Sequence, residues 1–177
     1  MNTHYFIGIK VPEMVGRSLI KARATTNMHR THKTLPLAED LHITLAYLAA
    51  VDENVLNDLI ASLNQIKWDA FSLTTDGLAH FGNDETPRVV FVALEEKDEL
   101  MKLQQAIVQK VLNFLELNIS KDFHAHITLA KKWMSKEKCV YDSFDLEKQS
   151  FEVRDFIIYK INPASTPRYE HFARINV

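Results

Sequence analysis

The chain has a single cysteine, Cys139, among its 177 residues. An intramolecular disulfide is therefore excluded, and four thiolates for a structural zinc are missing, so a reducing compartment is expected. Cys139 itself reads as structural or incidental. No apolar run reaches the roughly 20 residues that cross a bilayer. The Met1-Asn2-Thr3-His4 start leads directly into a strand pattern, without a basic and then apolar leader. A cytoplasmic protein with no membrane partner is expected. No linker or low-complexity stretch divides the chain, which is read as a single domain over residues 1–177. Excess positive charge is lacking too: Lys and Arg number 21 against 23 Asp and Glu, a formal charge of -2. Nonspecific nucleic-acid binding grows with the number of phosphates neutralised, which argues against a broad electrostatic surface for nucleic acid. A small or terminal phosphate group remains a suitable ligand.

What is present is a repeat. His42-Ile43-Thr44-Leu45-Ala46 and His126-Ile127-Thr128-Leu129-Ala130 are one pentapeptide written twice. Alternate side chains of a strand share a face. Each copy thus offers one imidazole and one hydroxyl to a surface while Ile and Leu point inward. Strict alternation extends the first copy to Leu41–Leu48, with His42, Thr44, Ala46 and Leu48 on one face and Tyr47 on the other.

Around the two copies the periodicity predicts a strand over 4–11, a helix from Glu13 to about Ala24, and a long functional loop from Thr25 to Asp40. A helix capped by Asp52 runs to about Ile66. A strand over 71–75 and another over 88–94 form a hairpin with a long loop. Asp98 caps a helix ending near Asn118, and the second motif strand starts near Phe123. An extended stretch over 148–161 and a last strand from Tyr169 complete the chain. Each motif strand follows a helix, which suggests two similar lobes with the motif strands side by side across a pseudo-two-fold axis.

Water cleaves a phosphodiester when a base activates it and an acid protonates the departing oxygen on the far side of phosphorus. Histidine serves in both roles near neutral pH, and two threonine hydroxyls can bind the non-bridging oxygens. No metal or other cofactor is required. A lone His-x-Thr on a strand is more often a half-buried polar pair; the repetition favours chemistry. His124-x-His126 has a metal-binding spacing but no evident third ligand. His29 and His32 read as solvated loop residues, and His4, His80 and His171 as surface or satisfied polar groups. Phe81 and Trp133 are candidates to stack on a base, or else belong to the core or rim.

The paired His-x-Thr strands resemble the two-histidine phosphoesterase superfamily, and within it the bacterial RNA 2′,3′-cyclic phosphodiesterases once called 2′-5′ RNA ligases. Tyr5-Phe6-Ile7-Gly8-Ile9, Asp40 to Leu45, Pro87-Arg88-Val89, Phe123 to Lys131 and Pro167-Arg168-Tyr169 carry the likeness across nearly the whole chain. The resemblance implies a bilobal α+β fold, in which two pseudo-symmetric, mainly antiparallel sheet lobes with outer helices enclose a central cleft. It implies His42 and His126 as acid and base, with His126 activating water and His42 protonating O3′, although the near symmetry of the motifs allows the reverse. Thr44 and Thr128 become phosphate ligands, and Lys131, Arg88 and Tyr169 further candidates. The expected reaction is metal-independent opening of a 2′,3′-cyclic phosphate on RNA 3′ ends or small nucleotides to a 2′-phosphomonoester, by a monomer. The alternatives are a 2′-5′ phosphodiesterase or ligase, a cyclic phosphodiesterase for a non-RNA metabolite, and a non-catalytic RNA-end binding module. The chain departs from the family's pattern at Ala125, where Pro is frequent, at Ala49, where Gly is, and at Lys131, where Arg is. It also has Lys33-Thr34-Leu35 where an aromatic often precedes the first motif.

Overall fold

The apolar alternation after His4 becomes β1 (His4–Lys10), which lies directly against the first motif strand, β3 (His42–Ala50), in the computed structural model. The structure describes residues 2–177. Between these strands come α1 (Glu13–Arg23), α2 (Met28–Thr31), β2 (His32–Thr34) and a 3-10 turn at Ala38–Asp40. There follow α3 (Glu53–Leu63), β4 (Phe71–Gly82), β5 (Pro87–Leu94) and α4 (Asp98–Leu112). The second motif strand is β6 (His126–Trp133), and β7 (Ser150–Val153), β8 (Asp155–Ile161) and β9 (Tyr169–Asn176) end the chain. Among the described residues no helix is long and apolar enough to cross a membrane.

All pairings in the sheet are antiparallel, and its order is β7-β4-β5-β6-β3-β1-β8-β9, with β2 added on β6. The order reads alike outward from its centre, where the two motif strands meet with Ile43 opposite Ile127. This is the expected α+β fold with two pseudo-symmetric halves. Ile43 and Ile127 are both wholly buried, and each such side chain contributes about 2 kcal/mol. They belong to one hydrophobic cluster that also takes in Leu19 of α1, Leu56 of α3 and Ile107 of α4. A second, small cluster of Phe6, Ile157 and Tyr159 lies apart from it.

Several expected boundaries are corrected. The stretch 25–40 is not one loop: α2, β2 and the 3-10 turn interrupt it, because Met28, Thr31 and His32 are buried and anchor it. His32 is accordingly no solvated residue; its Nε2–H donates to the Pro87 carbonyl at 2.7 Å and Nδ1 meets the Thr31 hydroxyl at 2.9 Å. Asp98 is the first residue of α4 rather than its cap, and the helix stops at Leu112. Leu115, Leu117 and Ile119 beyond it pack on the core. The second motif strand starts at His126, not Phe123. The apolar stretch 148–161 is split at Arg154: β7 pairs with β4 and β8 with β1, six places along the same sheet. A single residue spans that jump only if the sheet curls until its far regions meet. Trp68 marks the meeting, with ring centroids 6.2 Å from Phe71 of β4 and 5.8 Å from Phe156 of β8.

Candidate active site

Both motif strands break the alternation at the same place. Ile7 faces Ala46 and Gly8 faces Thr44, so Leu45 is an extra residue in β3. Val90 faces Ala130 and Phe91 faces Thr128, so Leu129 is the matching extra residue in β6. Each bulge turns the following residues over. Ala46 and Leu48 are buried, not on the face of His42, and Tyr47 is 51% exposed on the site side. The fifth position after each histidine, Tyr47 and Lys131, therefore joins the same surface as the imidazoles.

The backbone sets the imidazoles in the same way in both halves. His42 Nδ1–H donates to the Asp40 carbonyl at 2.7 Å, and His126 Nδ1–H donates to the His124 carbonyl at 2.7 Å. That bond fixes the tautomer and leaves each Nε2 free to accept or deliver a proton. His42 Nε2 also meets the Thr44 hydroxyl at 3.0 Å. Aromatic rings hold both imidazoles in place. Phe6 and Tyr169 stand 4.6 and 5.1 Å from His42, and Phe91 and Phe81 stand 5.0 and 5.2 Å from His126. Burial pushes the pKa of His42 down to about 4, with Lys131 and His126 adding to the drop and the Asp40 carbonyl and carboxylate opposing it. With its pKa so lowered, His42 is neutral at neutral pH.

A cavity of about 220 Å³ brings together His42, Thr44, Thr128, Lys131 and Tyr169, with Phe6, Tyr47 and Asp40 in its wall. His126 lines the adjoining hollow, which shares Thr44 and Tyr47 with this cavity. The expected histidines, threonines, lysine and tyrosine thus share one cleft. Arg88 does not line either hollow; its guanidinium carbon stands 6.0 Å from the ring centre of Phe81, which in turn touches His126. Trp133 is held edge-on against the buried His32 ring at 5.3 Å, so of the two stacking candidates it is Phe81 that reaches the cleft. His4 meets the hydroxyl of Tyr47, His29 is exposed, and His171 lies edge-on to Tyr159. Among the described residues no three His, Cys, Asp or Glu side chains are grouped to hold a metal ion.

Two residues of the site escaped the sequence reading. Tyr47 was on the wrong face until the bulge was known; counting five from each histidine, which pairs it with Lys131, is the signal that could have found it. Asp40 is the other. Its carboxylate accepts the backbone N–H of Arg168 at 2.9 Å and of Tyr169 at 3.1 Å, tying the far carboxy-terminal loop to the carbonyl that holds His42. Nothing in the local sequence signals a partner 128 residues away.

The chain is similar to known proteins in both sequence and fold. The chain is 29% identical over 178 residues to an RNA 2′,3′-cyclic phosphodiesterase of Bacillus subtilis, covering 98% of this chain and 96% of that protein. It is 32% identical over 121 residues to one of Archaeoglobus fulgidus, covering 67% and 68% of the two. The fold matches the crystal structure of E. coli LigT complexed with 3′-AMP at a TM-score of 0.81, with 22% identity over 100% of this chain and 99% of that one. The family model for the 2′-5′ RNA ligase superfamily matches residues 12–162, a span that holds both motif strands. The chain belongs to that superfamily.

Proposed function

We propose that the protein hydrolyses 2′,3′-cyclic phosphates, at RNA 3′ ends or on small nucleotides, to 2′-phosphomonoesters without a metal ion. The observation that carries this reading is the antiparallel pairing of Ile43 with Ile127, which turns both His-x-Thr pairs toward one cleft. The family and the names of the relatives support it. One chain supplies both histidines, so a monomer suffices.

In this mechanism His126 Nε2 takes a proton from water as the water oxygen attacks phosphorus. The P–O3′ bond breaks on the opposite side, and His42 gives its proton to O3′, leaving the phosphate on O2′. Thr44 and Thr128 donate to the non-bridging oxygens, and Lys131 offsets their charge. His42 is neutral before the substrate binds, so it takes its proton from solvent as the substrate anion enters. The bound anion screens Lys131, which lowers the His42 pKa, and favours the imidazolium. His126 ends protonated and His42 neutral, and exchange with solvent resets both.

The test is turnover of several 2′,3′-cyclic nucleotides in excess chelator, with the product isomer identified. The expected result is a 2′-phosphate in every case. His42→Ala and His126→Ala should each lower kcat by about a thousandfold with an unchanged circular dichroism spectrum. A folded variant that keeps its activity, or a reaction that needs added metal, overturns the reading. The division of roles has its own check: with sulfur replacing O3′ the leaving group needs no proton, so this substrate restores His42→Ala but not His126→Ala.

A further inference from the structure

The cavity of His42 opens on one side into a second hollow of about 190 Å³, and the two share Pro36, Asp40, Lys131 and Tyr169. The second hollow contains no catalytic histidine or threonine. Its own contributions are Arg168 and three hydroxyls, from Thr34, Ser165 and Thr166, beside Leu35 and Leu37. Lys131 and Arg168 are both part-buried, and among the described residues neither forms an ion pair. The nearby carboxylate, Asp40, already accepts a backbone N–H on each oxygen. Burial and the charge of Arg168 both lower the pKa of Lys131. Two cations held together beside hydroxyl donors make a site for an anion.

The opposite end of the cleft has the other sign. Beyond His126 the hollow passes Phe81, Phe123 and His124 into a larger one rimmed by Glu95, Glu96, Lys97 and Asp98, three acids against one base, with Glu95 also paired to Lys148. A phosphate chain is repelled there and attracted past His42. The pseudo-symmetric core thus sits between ends of opposite charge, and this gives the substrate a direction.

We propose that the Lys131–Arg168 hollow is a second anion subsite, which takes the phosphate on the 5′ oxygen of the nucleoside whose cyclic phosphate is cleaved. The inference rests on the cyclic phosphodiesterase reading and specifies its substrate class: the end of a nucleotide chain, or a 5′-phosphorylated nucleotide, in preference to a bare nucleoside 2′,3′-cyclic phosphate. The direction also places the terminal ribose, and hence the leaving O3′, on the side of His42, consistent with His42 as the acid.

The experiment compares kcat/KM for uridine 2′,3′-cyclic phosphate with that for the same compound carrying a 5′-phosphate and for the dinucleotide with a terminal 2′,3′-cyclic phosphate. The wild-type protein should favour the two 5′-phosphorylated substrates by about tenfold, and the advantage should shrink as salt is raised. Arg168→Gln keeps the backbone N–H that Asp40 needs. It should lower kcat/KM for the 5′-phosphorylated substrates about tenfold more than for the bare one. Ser165→Glu, an exposed position in the same hollow, should act in the same direction. Equal wild-type rates for all three substrates, or equal losses in Arg168→Gln, overturn the subsite. Calorimetric binding of adenosine 3′-monophosphate and adenosine 3′,5′-bisphosphate separates this inference from the proposed reaction. If no cyclic phosphate is turned over, a preference for the bisphosphate that Arg168→Gln abolishes still supports the subsite, and equal affinities reject it.

Discussion

Asp40 shows how little of a site one residue's chemistry reveals on its own. The two histidines and two threonines were legible because they are repeated, and a repeat on strands points to a shared surface. Asp40 acts through others, holding His42 by its carbonyl and the Arg168–Tyr169 backbone by its carboxylate. Asp40→Asn leaves one of those N–H groups facing an amide donor, at a cost of about 1–3 kcal/mol, and should lower kcat/KM about tenfold. A positioning role has a further signature. The Asp40 carboxylate raises the His42 pKa, so in the variant the NMR titration of His42 should move below its value of about 4. His42 also links folding to pH. The unfolded chain binds a proton there near 6.5 and the folded one only near 4, so between these values the unfolded state carries more protons. The stability is full above pH 6.5 and falls as pH falls toward 4, by about 1.4 kcal/mol per unit. Urea unfolding at pH 7 and pH 5 should show a drop about 2 kcal/mol smaller in His42→Asn than in wild type.

At the scale of elements, most strands and helices were legible from periodicity, and the departures have definite causes. The split at Arg154 was hidden because both sides of it are apolar and β-branched. The bulges at Leu45 and Leu129 were hidden because an inserted residue does not disturb composition, only phase. Gly8 is the one visible trace of the first: a side chain there would meet the Ile43 carbonyl at 2.8 Å, so only glycine lets β1 follow the bulged β3. The end of β3 carries a cost of its own. Ala49 has a φ of 58°, in the left-handed region, at the position where the family often has glycine. Ala49→Gly should therefore stabilise the fold by about 1 kcal/mol, read as a rise in the urea midpoint with an unchanged slope. Activity should stay at the wild-type level, since Ala49 lines neither hollow of the cleft.

For the whole molecule the question is what keeps two halves, joined at the centre by one facing pair of isoleucines, at a spacing that suits one phosphorus atom. Each half braces the bulge of the other. Arg23, at the end of α1 in the first half, donates to the carbonyl of Leu129 at 3.0 Å, and Gln104 of α4 in the second half donates to the carbonyl of Leu45 at 3.3 Å. These are the carbonyls of the two bulged residues, which the ladder does not oppose with a partner residue. Sequence could not reveal the brace, since it joins positions 106 and 59 residues apart through bulges that are themselves unreadable. Gln104→Leu removes the side-chain donor to the Leu45 carbonyl and should cost about 1–2 kcal/mol. Arg23→Met should cost more, because the guanidinium also donates to the Pro36 carbonyl at 2.8 Å beside the cleft. If the two contacts brace one interface, the halves loosen once either is lost, and the second loss then matters less. A double-mutant cycle should return a coupling of at least about 0.5 kcal/mol in stability, with a loss of kcat in the double variant smaller than the product of the single losses. Strict additivity in both measures would mean that the brace does not set the spacing of the histidines, and that the Ile43–Ile127 contact with its surrounding core holds it alone.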